Sequence, residues 1–370
     1  MRKNYLKFLP VLTGALILVM LAVSCKKDRP VVVPDPVNFA KLGLYEQIGT
    51  GNVGRRIFIA VSQVGTQSFA ASPYGLVFDT GSTGMTIDAN GLLPASMITS
   101  SGIQVAGDSV TVNGITVTTQ QAIVTFGGVD GETQEYGNLA YAPVTIGDVN
   151  GSVTTPRIPI FLYYKIVDVT TGKQLAAHSN DVFGVAPGVS FASRFIASPL
   201  SYFKLADNIT SGFRLPVLNN ASFNTSPTYV PNSLYIGLTP NDLNASGFVM
   251  HPLGYSAIGG YSPNITSTIT YNGQSIPGTI LFDSGTPSNT IIENSAATSN
   301  MITLPVNANV SILTGQGFSY QYTTVSNYNV TEVENPSYSR DNRTIFSINF
   351  FLSNEYLLDY TNHRIGLKNN

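Results

Sequence analysis

Two aspartates stand in closely similar stretches that lie far apart in the chain. Residues 76 to 83 read LVFDTGST, and residues 279 to 286 read TILFDSGT. In both, apolar residues lead into Asp-(Thr/Ser)-Gly-(Thr/Ser), which predicts a buried strand that ends in a tight turn with an acidic side chain. One such turn is ordinary turn chemistry, but two matched turns on apolar strands indicate a shared role.

Two carboxylates brought face to face would support acid–base chemistry by Asp79 and Asp283. Like charges about 3 Å apart cannot both ionise, so the pair holds one proton between them. The ionised member can take a proton from water while the protonated member polarises a carbonyl group. This chemistry hydrolyses an amide without metal, cofactor or nucleophilic side chain. Each turn taken alone would instead be read as a solvated turn aspartate.

The residues around each aspartate suit this task. A glycine two positions after the aspartate lets the backbone bend or lets another group come close. Hydroxyl side chains can hydrogen-bond a carboxylate and hold it in place. The predicted supporting residues are Thr80, Gly81, Ser82, Ser284, Gly285 and Thr286.

Composition favours strands and excludes several classes of function. The chain has 370 residues, 43% of them hydrophobic and 11% charged, with a net charge of -2. This length allows two domains or lobes, and the charge balance argues against a nucleic-acid partner. The abundance of Gly, Ser, Thr, Val, Ile, Tyr and Phe favours strands and turns. The three histidines have no acidic or cysteine partner at ligand spacing, so we predict neither a metal nor a cofactor.

The N-terminus resembles a bacterial lipoprotein signal. Arg2, Lys3 and Lys7 precede an apolar run over 8–23, and small residues then lead to Cys25, the single cysteine. We expect residues 1–24 to be a signal peptide, Cys25 to be lipidated, and residues 25–38 to be a proline-rich spacer. The protein would be exported to the cell envelope, on the outer membrane, facing the periplasm or the surface. An uncleaved signal anchor is the alternative.

The remaining chain predicts short strands separated by turns. The strongest hairpin signals are Asn113-Gly114 and Asn272-Gly273, and each hairpin lies in the same half as one acidic turn. Residues 121–126 predict a strand that enters a glycine-rich turn, with a return strand over 139–147. Residues 199–206 predict one short helix. The polar segment 219–232 is the predicted join, which gives an N-terminal lobe over 39–219 and a C-terminal lobe over 220–370.

The chain resembles the pepsin-like aspartic proteases. Residues 78–82 (FDTGS) and 282–286 (FDSGT) match the two catalytic turns of that family. Residues 181–185 resemble the buried segment behind the first turn, and residues 358–367 resemble the closing strand. The resemblance implies an all-β, bilobal acid-protease fold with two related β-barrel-like lobes and an active-site cleft between them. It also implies that Asp79 and Asp283 form a water-activating dyad supported by Ser82 and Thr286.

Several positions depart from the family pattern. The family covers its cleft with a hairpin, the flap, which carries a tyrosine near its tip. Here Phe126-Gly127-Gly128 fits that place, with Tyr136-Gly137 as the alternative. Thr86 stands where a tryptophan often partners the flap tyrosine, and Ser347 replaces a glycine in the second half. No dyad carboxylate is lost.

These features predict a lipid-anchored aspartic endopeptidase that cleaves a polypeptide substrate and is a monomer. The alternative is a catalytically weak or inactive surface lipoprotein of the same fold that binds peptide or glycan. A purely structural lipoprotein would leave the repeated motif unexplained. The near-neutral charge balance and the absence of an evident zymogen segment predict an activity that does not peak in strong acid.

Overall fold

A computed structural model describes residues 38–52, 54–69, 74–128, 131–244, 247–298, 301–325 and 330–370. The predicted signal peptide, Cys25 and nearly all of the spacer lie outside these residues. Within the described part of the chain, no helix is long and apolar enough to span a membrane.

The regular structure of the first half of the chain consists mainly of strands. They are β1 (Ala40–Gln47), β2 (Arg56–Val64), β3 (Gln67–Ser68), β4 (Tyr74–Asp79), β5 (Thr83–Asp88), β6 (Ile98–Thr99), β7 (Gly102–Ile103), β8 (Ser109–Val112), β9 (Ile115–Gly128), β10 (Gly131–Ala142), β11 (Val144–Asp148), β12 (Gly151–Thr154), β13 (Ile158–Asp168), β14 (Val182–Val185) and β15 (Thr210–Leu215). Single turns of 3-10 helix lie at Thr50–Asn52, Ala95–Met97 and Pro199–Tyr202.

The second half adds further strands and two short helices. The strands are β16 (Thr228–Leu238), β17 (Val249–Pro252), β18 (Ile265–Tyr271), β19 (Gln274–Phe282), β20 (Thr290–Glu293), β21 (Met301–Thr303), β22 (Asn309–Thr314), β23 (Ser319–Thr323), β24 (Thr331–Glu334), β25 (Arg343–Phe346), β26 (Asn354–Asp359) and β27 (Arg364–Asn369). The helices are α1 (Pro240–Asn244) and α2 (Pro336–Ser339), and 3-10 turns lie at Asn220–Ser222 and Ile348–Leu352.

Two large sheets carry these strands and form two lobes, which confirms the predicted mostly β, bilobal fold. Strands β18 to β25 form the second sheet, and most other strands belong to the first. The last two strands return to the first sheet, where β26 pairs with β15 and β27 pairs with β17. Strand β16 pairs with both β1 and β15, so the first sheet continues across the predicted boundary at 219/220, which stays a prediction.

The two Asn-Gly hairpins form as predicted. Asn113 and Gly114 have φ of 54° and 71°, and they join β8 to β9; Asn272 and Gly273 have φ of 47° and 74°, and they join β18 to β19. Positive φ at both central residues is the type I′ signature, which asparagine and glycine tolerate best. Each hairpin therefore follows directly from its two turn residues.

Two local predictions were wrong. The return strand of the glycine-rich hairpin begins at Gly131, not at 139, because β10 continues past Gly137 through a register shift against β13. A side chain on Gly137 would meet the Leu162 carbonyl oxygen at 2.4 Å, so this glycine serves a close strand approach. The helix predicted over 199–206 is one 3-10 turn that ends where Phe203 becomes extended.

Buried acids pack behind the first acidic turn. Glu135 on β10 is fully buried, and burial raises the pKa of its carboxyl well above the usual range, while Thr86 and Asn180 offset this only in part. Burial also raises the pKa of Asp181 to about 7. The Asp181 carboxylate accepts hydrogen bonds from the Tyr163 hydroxyl at 2.6 Å and from the Asp88 N–H at 2.8 Å. Because its pKa is raised, the Glu135 carboxyl is neutral through much of the acid pH range.

A raised pKa in the folded state makes stability depend on pH. The contribution of Glu135 is full below the pKa of an unfolded glutamate and is lost as the pH rises towards the folded value. We expect Glu135→Gln to unfold like the parent at pH 4 and to be more stable at pH 8, by roughly 1–3 kcal/mol. Urea unfolding at both pH values measures this. Glu132→Gln, on the same strand but partly exposed, is the matched control; equal pH dependence in both variants would contradict the assignment.

Candidate active site

Each half builds its acidic turn in the same way. Strand β4 ends at Asp79 and β19 ends one residue before Asp283. A parallel strand lies behind each: β14 pairs with β4, placing Phe183 opposite Phe78, and β25 pairs with β19, placing Phe346 opposite Phe282. All four phenylalanines are buried. These apolar contacts fix the end of each strand, and thereby the position of the aspartate that follows.

Thr80 and Ser284 lock the two turns together. The Thr80 hydroxyl donates to the Phe282 carbonyl oxygen at 2.7 Å and accepts from the Ser284 N–H at 3.0 Å. The Ser284 hydroxyl donates to the Phe78 carbonyl oxygen at 2.7 Å and accepts from the Thr80 N–H at 3.1 Å. Both side chains are 0% exposed. Four buried hydrogen bonds therefore join stretches some two hundred residues apart in sequence.

Each carboxylate is also held by its own turn. Asp79 Oδ1 accepts from the Gly81 N–H at 2.7 Å, and its Oδ2 accepts from the Ser82 hydroxyl at 2.5 Å. Asp283 Oδ1 accepts from the Gly285 N–H at 2.7 Å, and its Oδ2 accepts from the Thr286 hydroxyl at 2.7 Å. The geometry places all eight predicted residues of the two turns in one cluster.

Gly81 and Gly285 allow the carboxylates to approach. A Cβ on Gly81 would lie 2.6 Å from the carboxyl carbon of Asp283, and one on Gly285 would lie 2.7 Å from that of Asp79. Neither glycine has positive φ, so close approach, not backbone bending, requires them. Each aspartate thus packs over the glycine of the opposite turn, which brings the two carboxyl groups face to face.

The electrostatics of the pair favour a single shared proton. Asp79 is only 7% exposed. Burial, the charge of Asp283 and a hydrogen bond to that neighbour raise the pKa of Asp79 well above its usual range, although Ser82 and Gly81 partly oppose this. A protonated carboxyl beside an ionised one is the arrangement that activates water.

The predicted flap residues lie near the tip of the hairpin that β9 and β10 form. Phe126 on β9 pairs with Thr133 on β10 as the third pair counted from the hairpin end, and Gly127 and Gly128 follow it. Phe126 is partly buried against a small apolar cluster that includes Val124. Tyr136, the alternative, lies in mid-strand opposite Ile123, away from the tip. The flap role of Phe126 stays a prediction.

Arg56, the first residue of β2, was not predicted from the sequence as a site residue. Its Nη1 donates a hydrogen bond to the Gly285 carbonyl oxygen, at the second acidic turn. Burial lowers the pKa of its guanidinium, while attraction to Asp283 and Asp79 opposes this shift. The available signal was the doublet Arg55-Arg56, immediately before an apolar strand in a chain with only 11% charged residues.

Among the described residues, no group of three His, Cys, Asp or Glu side chains is placed to hold a metal ion. The arrangement of carboxyls, hydroxyls and backbone N–H groups supports proton transfer to and from a water or carbonyl group bound between the two aspartates.

Comparison with solved structures identifies the fold. The aspartic proteinase from Irpex lacteus is similar over 90% of this chain and 97% of its own, with a TM-score of 0.56 and 17% identity. Basic 7S globulin from soybean is similar over 90% and 96%, with a TM-score of 0.54 and 12% identity. No protein-family model and no curated protein matches the sequence. At these identities the likeness shows the pepsin-like fold alone.

The interlock of Thr80 and Ser284 makes a quantitative prediction. Thr80→Val keeps the shape of the side chain but leaves the buried Ser284 N–H and Phe282 carbonyl without this partner, which costs about 1–3 kcal/mol. We expect Ser284→Ala to cost a similar amount, and we expect the double variant to be less destabilised than the sum, because both changes break one network. Urea unfolding measures all three.

Thr80→Ser is the control, since it keeps the hydroxyl. Strictly additive losses, or a Thr80→Val variant as stable as Thr80→Ser, would contradict the interlock.

Proposed function

We propose that this chain is an aspartic endopeptidase that hydrolyses peptide bonds with a water molecule activated by Asp79 and Asp283. The observation that carries the proposal is the reciprocal packing of the two carboxyls, each held by its own turn and seated over the glycine of the other. Two carboxyls can share one proton only when they lie face to face, whereas aspartates in two unrelated turns would not need this packing. The pepsin-like fold adds support, because one structural neighbour is an aspartic proteinase.

The proposed reaction uses both protonation states of the pair. The ionised carboxylate takes a proton from the water as its oxygen attacks the carbonyl carbon, and the protonated carboxyl donates to the carbonyl oxygen. The resulting tetrahedral intermediate breaks its C–N bond as a proton passes to the leaving nitrogen. The Ser82 and Thr286 hydroxyls hold the carboxylates in orientation throughout.

We propose that the enzyme is a monomer. Its substrate would be an extended polypeptide that binds in the cleft between the lobes. Backbone hydrogen bonds would give general affinity, and pockets for alternate side chains would give preference. The β9–β10 hairpin would act as the flap, with Phe126, Gly127 and Gly128 near its tip, and its closure would exclude water.

An alternative is a binding protein of the same fold that turns over slowly or not at all and takes up peptide or glycan. Two observations favour keeping it: Phe126 lacks the hydroxyl that a tyrosine would offer, and one structural neighbour is named a globulin. The intact dyad favours the peptidase.

The test incubates the full chain with a denatured protein from pH 3 to pH 8, beside Asp79→Asn and Asp283→Asn. We expect cleavage by the parent and at least a roughly 1,000-fold loss in both variants, because either change removes the shared proton arrangement. Cleavage retained by either variant would contradict the dyad. No cleavage by a folded parent at any pH would favour the binding alternative.

The same assay gives the pH profile. Activity needs one proton on the pair, so a raised pKa for Asp79 keeps the pair singly protonated to higher pH. We therefore expect activity to extend towards neutral pH. A profile that peaks below about pH 3 and vanishes by pH 5 would contradict this expectation.

The chain is also proposed to be an exported bacterial lipoprotein of the cell envelope, anchored through Cys25. The sequence pattern before Cys25 carries this proposal. We expect labelled palmitate to enter the parent and not Cys25→Ser, because no other cysteine is present. Label retained by the variant, or absent from the parent, would overturn the anchor without bearing on the dyad.

A further inference from the structure

The two acidic turns hold their carboxylates almost identically. The N–H groups of Gly81 and Ser82 lie 2.7 and 3.3 Å from Asp79 Oδ1, and those of Gly285 and Thr286 lie 2.7 and 3.3 Å from Asp283 Oδ1. The turns themselves therefore do not determine which carboxyl keeps the proton and which is ionised.

Arg56 breaks this symmetry. Its guanidinium donates to the Gly285 carbonyl oxygen, and the N–H of that same peptide group, on Thr286, points at Asp283 Oδ1. A cation on the oxygen of a peptide polarises its N–H and strengthens the bond that this N–H donates. Arg56 thus acts on Asp283 through one peptide group, besides acting directly through its charge.

The equivalent place in the other half carries no charge. Phe58 pairs with Val77, two residues before Asp79, and Ile265 pairs with Ile280, three residues before Asp283. Counting back along the strands, Asn264 corresponds to Phe58, and Ser262 corresponds to Arg56. Because Ser262 is uncharged, the described residues place no cation against the first turn in the position that Arg56 occupies against the second.

Neighbouring contacts hold Arg56 against the second turn. The Gly54 N–H donates to the Ser288 hydroxyl at 2.7 Å, and Arg55 donates to Asn220 at 3.0 Å and to Asn349 at 3.4 Å. Ser288 is in turn bound through its carbonyl oxygen by the Asn349 side chain at 2.7 Å. The start of β2 is thereby tied to the second half of the chain, and the guanidinium has little freedom to leave.

The charge of Arg56 remains available to the dyad. Within the described residues Arg56 has no carboxylate within ion-pair distance, although it is attracted to Asp283 and Asp79. Arg343 is also attracted to Asp283, but it pairs with Asp341 at 2.6 Å, which neutralises it locally. Arginine stays protonated at any pH of interest, so this influence is constant.

We propose that Arg56 is a positioning residue that holds the single negative charge of the dyad on Asp283, leaving the proton on Asp79. The inference deepens the proposed peptidase function and rests on it only for the catalytic roles. The burial that raises the pKa of Asp79 acts in the same direction. The two carboxyls, alike in their own turns, thus receive different tasks.

Each carboxyl then has its own role in the proposed reaction. Asp283 takes the proton of the attacking water, and Asp79 gives its proton to the carbonyl oxygen, which yields a tetrahedral diol. Asp283 next gives its proton to the leaving nitrogen as the C–N bond breaks, and Asp79 recovers one from a diol hydroxyl as the carboxylic acid forms. Both carboxyls return to their starting states, and protons balance at each step.

The first test needs no activity. Carbon-13-labelled aspartate gives the titration midpoint of each dyad carboxyl, and single-carboxyl variants avoid the coupling between them. In full-length Asp79→Asn, we expect adding Arg56→Met to raise the midpoint of Asp283 by about half a pH unit or more. In Asp283→Asn, the same change should move the Asp79 midpoint less. Equal shifts, or none, would overturn the proposal.

The second test measures kcat/KM against pH in the parent dyad. Arg56→Met should move the acid limb to higher pH, Arg56→Lys should move it less, and Lys41→Met, an exposed cation on β1, should leave it unchanged. A fall in kcat/KM with unmoved limbs would mean that Arg56 is merely structural and would overturn the proposal. An inactive parent would defeat the peptidase function, while the carboxyl titrations would still decide the role of Arg56.

Discussion

The reciprocal hydrogen bonds of Thr80 and Ser284 are the interaction on which the site depends. They join two turns that are separated by about two hundred residues and belong to different halves. Both hydroxyls are fully buried and each bonds twice, so losing either leaves backbone groups of the opposite turn unsatisfied. The relative position of Asp79 and Asp283 is set here, before any substrate binds. Strands β14 and β25 pair with the strands that lead into the two turns and support them from behind.

Burial makes the charges around the dyad effective, because solvent screens them poorly. Asp79 faces a like charge in a poorly solvated position, which favours keeping its proton. Arg56 supplies a permanent cation at the carbonyl of Gly285. The two turns by themselves give their carboxylates nearly the same hydrogen bonds. The proposed role of Arg56 explains how one of two matched groups can serve as base and the other as acid.

Much of the fold follows from local sequence. The Asn-Gly turns form because both residues accept positive φ, and the apolar strands before Asp79 and Asp283 are buried as their composition requires. The acidic turns were predictable because the motif occurs twice. Arg56 was not, because its role depends on a contact with a carbonyl 229 residues away that no local pattern encodes. The early start of β10 was not predictable either, because Gly137 lies within that strand and allows the close approach of β13.

If Asp79 and Asp283 act as one dyad, they form a single site for a tetrahedral carbon that bears a hydroxyl. The most direct measurement is calorimetric titration with a peptide whose scissile carbonyl is replaced by a secondary hydroxyl. We expect one site per chain, with affinity at least about 100-fold weaker in both Asp79→Asn and Asp283→Asn. Equal affinity in the parent and either variant would contradict it, because the hydroxyl would then bind somewhere other than between the two carboxyls.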